Sequence, residues 1–172
     1  MNDAFGKKLQ GKLHLVFVTL VKMGVCKEDA EDITQDTAIQ FLQYIDGIEM
    51  EKAQAWLFRV AINKYYDSLR KKKTSDQYVL AFNTEDLFDR ETPEIRVLQK
   101  ELQQNVQGIL GRMKPRDAEI LLLKYSADFS LKEIAKMFQT SDKTIKTQLA
   151  RAKQKMVRLI EEGQINERQI HF

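Results

Sequence analysis

The chain has 172 residues, 43% of them hydrophobic, and its 28 Lys and Arg against 25 Asp and Glu leave a formal charge of +3; this suits one ordinary soluble domain or two small ones. One cysteine, Cys26, excludes an internal disulfide framework, and with only His14 and His171 beside it there is no Cys/His zinc site. No phosphate-cradling glycine loop, nucleophile elbow or His–carboxylate spacing marks an enzyme, and no cofactor or small-molecule substrate is implied.

Two prolines and seven glycines, among long runs of Leu, Lys, Glu, Gln and Ala, predict an all-α chain. The first helix is expected to begin near Asp3. Its apolar run from Leu13 to Val21 is too short to span a bilayer and no small-residue cleavage site follows, so a cytoplasmic protein is expected. The next helix, Lys27 to Asp46, carries an apolar stripe of Ala30, Ile33, Thr37, Ala38, Phe41, Leu42 and Ile45. Its other faces hold Glu28, Asp29, Glu31, Asp32 and Asp36, with no Lys or Arg from residue 28 to residue 46. Such acids either favour the helix dipole as a solvated face or form a docking surface for a basic partner.

A third segment, Lys52 to Lys73, is amphipathic through Ala53, Trp56, Leu57, Val60 and Ala61 and then turns basic and aromatic. Arg59, Lys64, Arg70, Lys71, Lys72 and Lys73 stand against Asp67 alone, with Tyr65 and Tyr66 among them. Single-stranded nucleic acid is held by this mixture, because phosphates want positive charge and unstacked bases want a flat ring. The alternative is a plain core with a solvated lysine end, and Trp56, on the stripe, is assigned to that core. Residues 74–94 lose the periodicity and read as a flexible linker in which Val79, Leu80, Phe82, Leu87 and Phe88 are scattered docking points.

The second half is expected to start with a helix from about Ile95 to Met113, break at Lys114 and Pro115, and resume from Arg116 to Tyr125. Asp117 and Glu119 there suit the helix dipole. Beyond a turn over Ser126 to Phe129, residues 130–158 read as a helix-turn-helix. Ser130 and Glu133 form a capping box before Leu131, Ile134, Ala135 and Phe138, and the break falls at Gln139 and Thr140. Ser141 then caps a second helix with a stripe of Ile145, Leu149, Ala152, Met156 and Leu159. Residues 131–158 hold eight Lys and Arg against two acids, a local +6 in a chain whose total is +3. That concentration separates a DNA-reading element from an ordinary solvated hairpin.

Taken in order, residues 29–42 (DAEDITQDTAIQFL), 55–73 (AWLFRVAINKYYDSLRKKK) and 130–156 (SLKEIAKMFQTSDKTIKTQLARAKQKM) resemble the signature segments of bacterial RNA polymerase sigma factors of the extracytoplasmic function group. The resemblance implies a sigma region 2 bundle at 3–73, a linker at 74–94 and a region 4 helix-turn-helix at 95–162. By the same resemblance, Asp29, Glu31, Asp32, Gln35 and Asp36 would dock on a coiled coil of the polymerase largest subunit. Asn63 would read a flipped base of the −10 element, with Lys64, Tyr65, Tyr66, Arg70 and Lys71 bordering the melted strand. Ser141, Lys143, Lys146, Thr147, Ala150 and Arg151 would meet the −35 element, Lys143 close to phosphate.

Two departures stand out. Gln139 sits where the family often has a turn glycine, and Ala150 replaces a larger side chain at a reading position, leaving only apolar contact with a thymine methyl. The partners implied are core RNA polymerase, promoter DNA and a membrane-linked anti-sigma factor, with no homo-oligomer. A stand-alone helix-turn-helix repressor or activator is the rival reading, and it predicts a symmetric dimer on repeated half-sites.

Overall fold

A computed structural model of the chain describes residues 3–71, 80–88 and 90–170, with side chains described as far as residue 163. The regular structure among the described residues is helical: α1 (Asp3–Lys22), α2 (Lys27–Gln43), α3 (Ala53–Lys71), α4 (Pro93–Gly111), α5 (Pro115–Leu121), α6 (Leu131–Met137) and α7 (Asp142–Ile170). No helix among them is long and apolar enough to cross a membrane.

In the first half, α1 buries Val16 and Leu20 and stops where Gly24 takes φ 92°, so that the Val25 amide donates back to the Leu20 carbonyl. Cys26 caps α2, its sulfur accepting the Asp29 amide at 3.4 Å. Ala30, Ile33, Thr37 and Phe41 are buried, and the Thr37 hydroxyl is satisfied by donating to the Ile33 carbonyl at 2.7 Å. Leu42, expected on that stripe, is 42% exposed because it lies about 100° around the helix from Phe41. Two 3-10 turns, Ile45–Gly47 and Met50–Lys52, then lead into α3. As its stripe required, Trp56 packs edge-on to Phe41 with ring centres 5.6 Å apart.

In the second half α4 begins at Pro93, two residues before Ile95, because the Thr92 hydroxyl accepts the Ile95 amide and proline fits the first helical position. The helix kinks at Asn105 (φ −142°). Gly108 lies beneath it, where a Cβ would fall 2.3 Å from the Asn105 Oδ1. α5 runs into a π-helical turn over Leu122–Ser126, and the run from Ala118 to Leu123 is entirely buried. α7 continues to Ile170, past the expected end at 162.

The two halves meet on α3. Phe58 packs edge-on to Phe129 at 4.9 Å, the Tyr66 hydroxyl donates to the Met113 carbonyl, and Gly111 approaches the Leu69 carbonyl so closely that a Cβ would sit 3.7 Å from it. The described part of the linker is wedged into this junction: Leu80 and Leu87 are buried, the Ala81 amide donates to Met23 and the Asn83 amide to Tyr125, each at 2.8 Å. Those apolar residues therefore belong to the core of the closed pair. The remaining linker calls, including Val79, and Lys72 and Lys73 before them, lie outside the described residues.

Candidate nucleic-acid interface

The helix-turn-helix is built by local chemistry. The Ser130 hydroxyl accepts the Glu133 amide at 3.2 Å while the Glu133 carboxylate accepts the Ser130 amide at 2.7 Å, so two donors at the start of α6 are satisfied reciprocally. Those bonds hold the Glu133 carboxyl below its ordinary range. Its stabilisation is thus present above the unfolded-state value and lost as the pH falls through the depressed folded one. With only seven residues, α6 depends on this cap. Ser130→Ala is expected to cost about 1 kcal/mol in urea unfolding; an unchanged midpoint would show the box to be idle.

α6 ends in a two-bond C-terminal motif: the Thr140 amide donates to Ala135 and the Gln139 amide to Lys136, with Gln139 at φ 52°. The turn geometry is therefore the ordinary one, reached by a glutamine in a left-handed conformation that disfavours side chains by about 1–2 kcal/mol. Gln139→Gly should raise stability by about 1 kcal/mol by calorimetry, whereas a loss would place the strain elsewhere.

Ser141 caps α7, its hydroxyl accepting the Thr144 amide at 3.1 Å. Ile145, Leu149, Ala152 and Met156 are buried and Leu159 half-buried, as the stripe demands. All six residues assigned to duplex reading, Ser141, Lys143, Lys146, Thr147, Ala150 and Arg151, lie exposed on the outer face, and the Thr147 hydroxyl donates to the Lys143 carbonyl.

On α3 the assigned residues divide. Asn63, Arg70 and Lys71 are exposed, and Lys64 is half-buried with its ammonium 3.8 Å from Asp36 on α2. Tyr65 and Tyr66 are 4% and 1% exposed, so neither offers a ring face to a base in this arrangement. Tyr66 is tied to Met113 and has the Arg70 guanidinium 5.9 Å from its ring centre. Burial, with Asp29 adding to it, pushes the Tyr65 phenol well above its ordinary value, and its hydroxyl has no hydrogen-bond partner among the described residues. An orphaned buried hydroxyl costs on the order of 1 kcal/mol, so Tyr65→Phe is expected to stabilise the fold by about that amount. A destabilised variant in thermal unfolding would mean that the hydroxyl is bonded.

On α2, Glu31, Asp32, Gln35 and Asp36 are exposed and Asp29 is half-buried. Ile39, 56% exposed, and Leu42 continue that acidic face.

A further cluster joins the halves. Glu119, 6% exposed, receives the Arg59 guanidinium of α3 at 3.4 Å, while Arg59 and Arg116 lie 4.6 and 3.5 Å from the centre of the Phe138 ring. Burial raises the Glu119 carboxyl, and the two arginines pull against that rise. The sequence reading had given Glu119 only a dipole role. Its position inside the apolar run Ala118 to Leu123 was the available signal of burial. Among the described residues no group of His, Cys, Asp and Glu could hold a metal ion.

Comparison with known proteins places both halves. The family model for sigma-70 region 2 matches residues 12–74 and that for sigma-70 region 4 matches residues 103–156, together more than half of the chain. The chain belongs to the sigma-70 family, in its extracytoplasmic function group. Among its relatives, the RNA polymerase sigma factor NccH of Alcaligenes xylosoxydans xylosoxydans is 28% identical over 94% of this chain and 89% of its own length. The ECF RNA polymerase sigma factor SigW of Bacillus subtilis (strain 168) is 29% identical over 73% of this chain and 72% of its own. The sigma factor RpoE of Bartonella quintana, solved with the anti-sigma factor NepR, shares the fold with a TM-score of 0.50 at 20% identity, over 93% of this chain and 98% of that one. For this sigma factor, α1–α3 therefore carry region 2 and most of α4 to α7 carries region 4, and the family's task is to direct RNA polymerase to promoters.

Proposed function

We propose that this chain docks on core RNA polymerase through α2 and holds two promoter elements, the duplex −35 element on α7 and the melted −10 strand on α3. One observation carries the reading: a solvent-facing acidic helix free of cations and a solvent-facing basic recognition helix sit on separate halves of one chain. Asp29, Glu31, Asp32, Gln35 and Asp36 form the charged part of the docking face, and Ile39 and Leu42 beside them supply the apolar part that a stable interface needs. Asn63 captures a flipped base, with Lys64, Arg70 and Lys71 on the phosphates. Tyr65 and Tyr66 join them only if the halves part. Ser141, Lys143, Lys146, Thr147, Ala150 and Arg151 meet the major groove, the lysines and Arg151 supplying the charge and Ala150 an apolar contact.

Strand opening is favoured because each captured base contributes on the order of 1–3 kcal/mol that duplex DNA cannot supply. The bond-making chemistry belongs to the polymerase, and the factor itself is not an enzyme. It works in the cytoplasm as a monomer over domains 3–73 and 95–162. An anti-sigma factor, the kind of partner with which the Bartonella protein was solved, restrains it, held at the membrane until a signal arrives. Size-exclusion chromatography with core polymerase tests this reading. Co-elution at one copy per core is expected, whereas a free symmetric dimer that binds duplex half-sites tightly without polymerase would support the stand-alone regulator instead.

A further inference from the structure

The face of α3 that meets region 4 is also half of its nucleic-acid face. Phe58, Arg59, Ile62, Tyr66 and Arg70 recur at helical spacing. Of these, Phe58 is covered by Phe129, Arg59 is engaged by Glu119 and Phe138, and Tyr66 is bonded to Met113. The contacts repeat the chemistry of a bound strand, a carboxylate on the guanidinium where a phosphate would lie and aromatic rings where bases would stack. We propose that region 4 of the free protein is an internal substitute for single-stranded DNA, with Glu119 as its phosphate-like latch, and that this closed pair keeps the factor from holding DNA before polymerase binds.

Glu119 carries the latch because it lies between two cations. Arg59 and Arg116 share one ring, and without the carboxylate their charges repel across the junction between the halves. Arg116 has a second anchor within region 4, at Gln148 Oε1 (3.3 Å), so Arg59 is the partner that leaves when the halves separate. The closed form also cannot span a promoter. Elements about 25 base pairs apart lie roughly 85 Å apart along duplex DNA, whereas α3 touches α4, α5 and α6 directly.

This inference rests on α3 being the strand-binding element, and the test separates the two claims. Small-angle scattering of the free protein should give a radius of gyration of roughly 16 Å for the wild type, the value for a compact chain of this length. Glu119→Gln, and separately Phe129→Ser, should both give a clearly larger value with helical content retained by circular dichroism. Binding of a fluorescein-labelled single-stranded 12-mer should then tighten roughly tenfold, since a binding-competent state present at a tenth of the population weakens apparent affinity by that factor. Transcription by Glu119→Gln with core polymerase should match the wild type. An unchanged radius in both variants overturns the latch. A larger radius with no gain in strand binding also overturns the proposal, and assigns the failure to the strand-binding role of α3.

Discussion

With Lys146 and Arg151 both replaced by alanine, initiation that depends on the −35 element is expected to fall roughly 100-fold while polymerase binding is retained. Each direct contact to a base edge is worth about 1–3 kcal/mol, and two lost together compound to that range. Both side chains are exposed on the face of α7 opposite Ile145, Leu149 and Ala152, so their removal leaves the helix packed. Run-off transcription on paired templates with and without the −35 element reads the effect. If both templates lose activity equally, the two residues act on folding or on polymerase, and α7 is not the reading helix.

The second large effect is expected at the other end of the molecule. Asp32→Ala with Asp36→Ala should weaken association with core polymerase roughly 100-fold and leave the unfolding midpoint nearly unchanged. Charged residues at the centre of a docking face contribute to steering and to residence time, whereas solvated surface charges contribute little to stability. Asp36 has an intramolecular partner, the Lys64 ammonium at 3.8 Å, but Asp36 is 67% exposed, so that pair adds little to the fold. Surface-immobilised core polymerase titrated with both proteins measures the loss, and equal affinities would remove α2 from the interface.

What could be read from the residues was what depends on neighbours along the chain. The capping box at Ser130 and Glu133, the break at Gln139, the stripe from Ile145 to Met156 and the exposure of Lys146 and Arg151 all follow from spacing within a helix or a turn. The acidic face of α2 was visible for the same reason. Pairings between distant segments were not visible. Tyr66 and Met113, Phe58 and Phe129, and Arg59 and Glu119 are each brought together only when the halves close, and no periodicity announces them. Hence Tyr65 and Tyr66 were expected beside a strand and are found buried, and the linker, expected to be a spacer, lends Leu80 and Leu87 to the core. Leu42 was misplaced on the apolar stripe because one residue beyond Phe41 is a third of a turn too far, and its exposure enlarges the docking face instead.

The central claim is that one chain recruits polymerase by α2 and aims it by α7 and α3. In vitro transcription of fragmented bacterial genomic DNA by core polymerase, with the 5′ ends of the transcripts sequenced, tests it most directly. Addition of this chain should produce a discrete set of start sites sharing two sequence blocks upstream, and the −35 block should vanish from the set made by the Lys146→Ala, Arg151→Ala protein. Start sites that are the same with and without the chain would contradict the account.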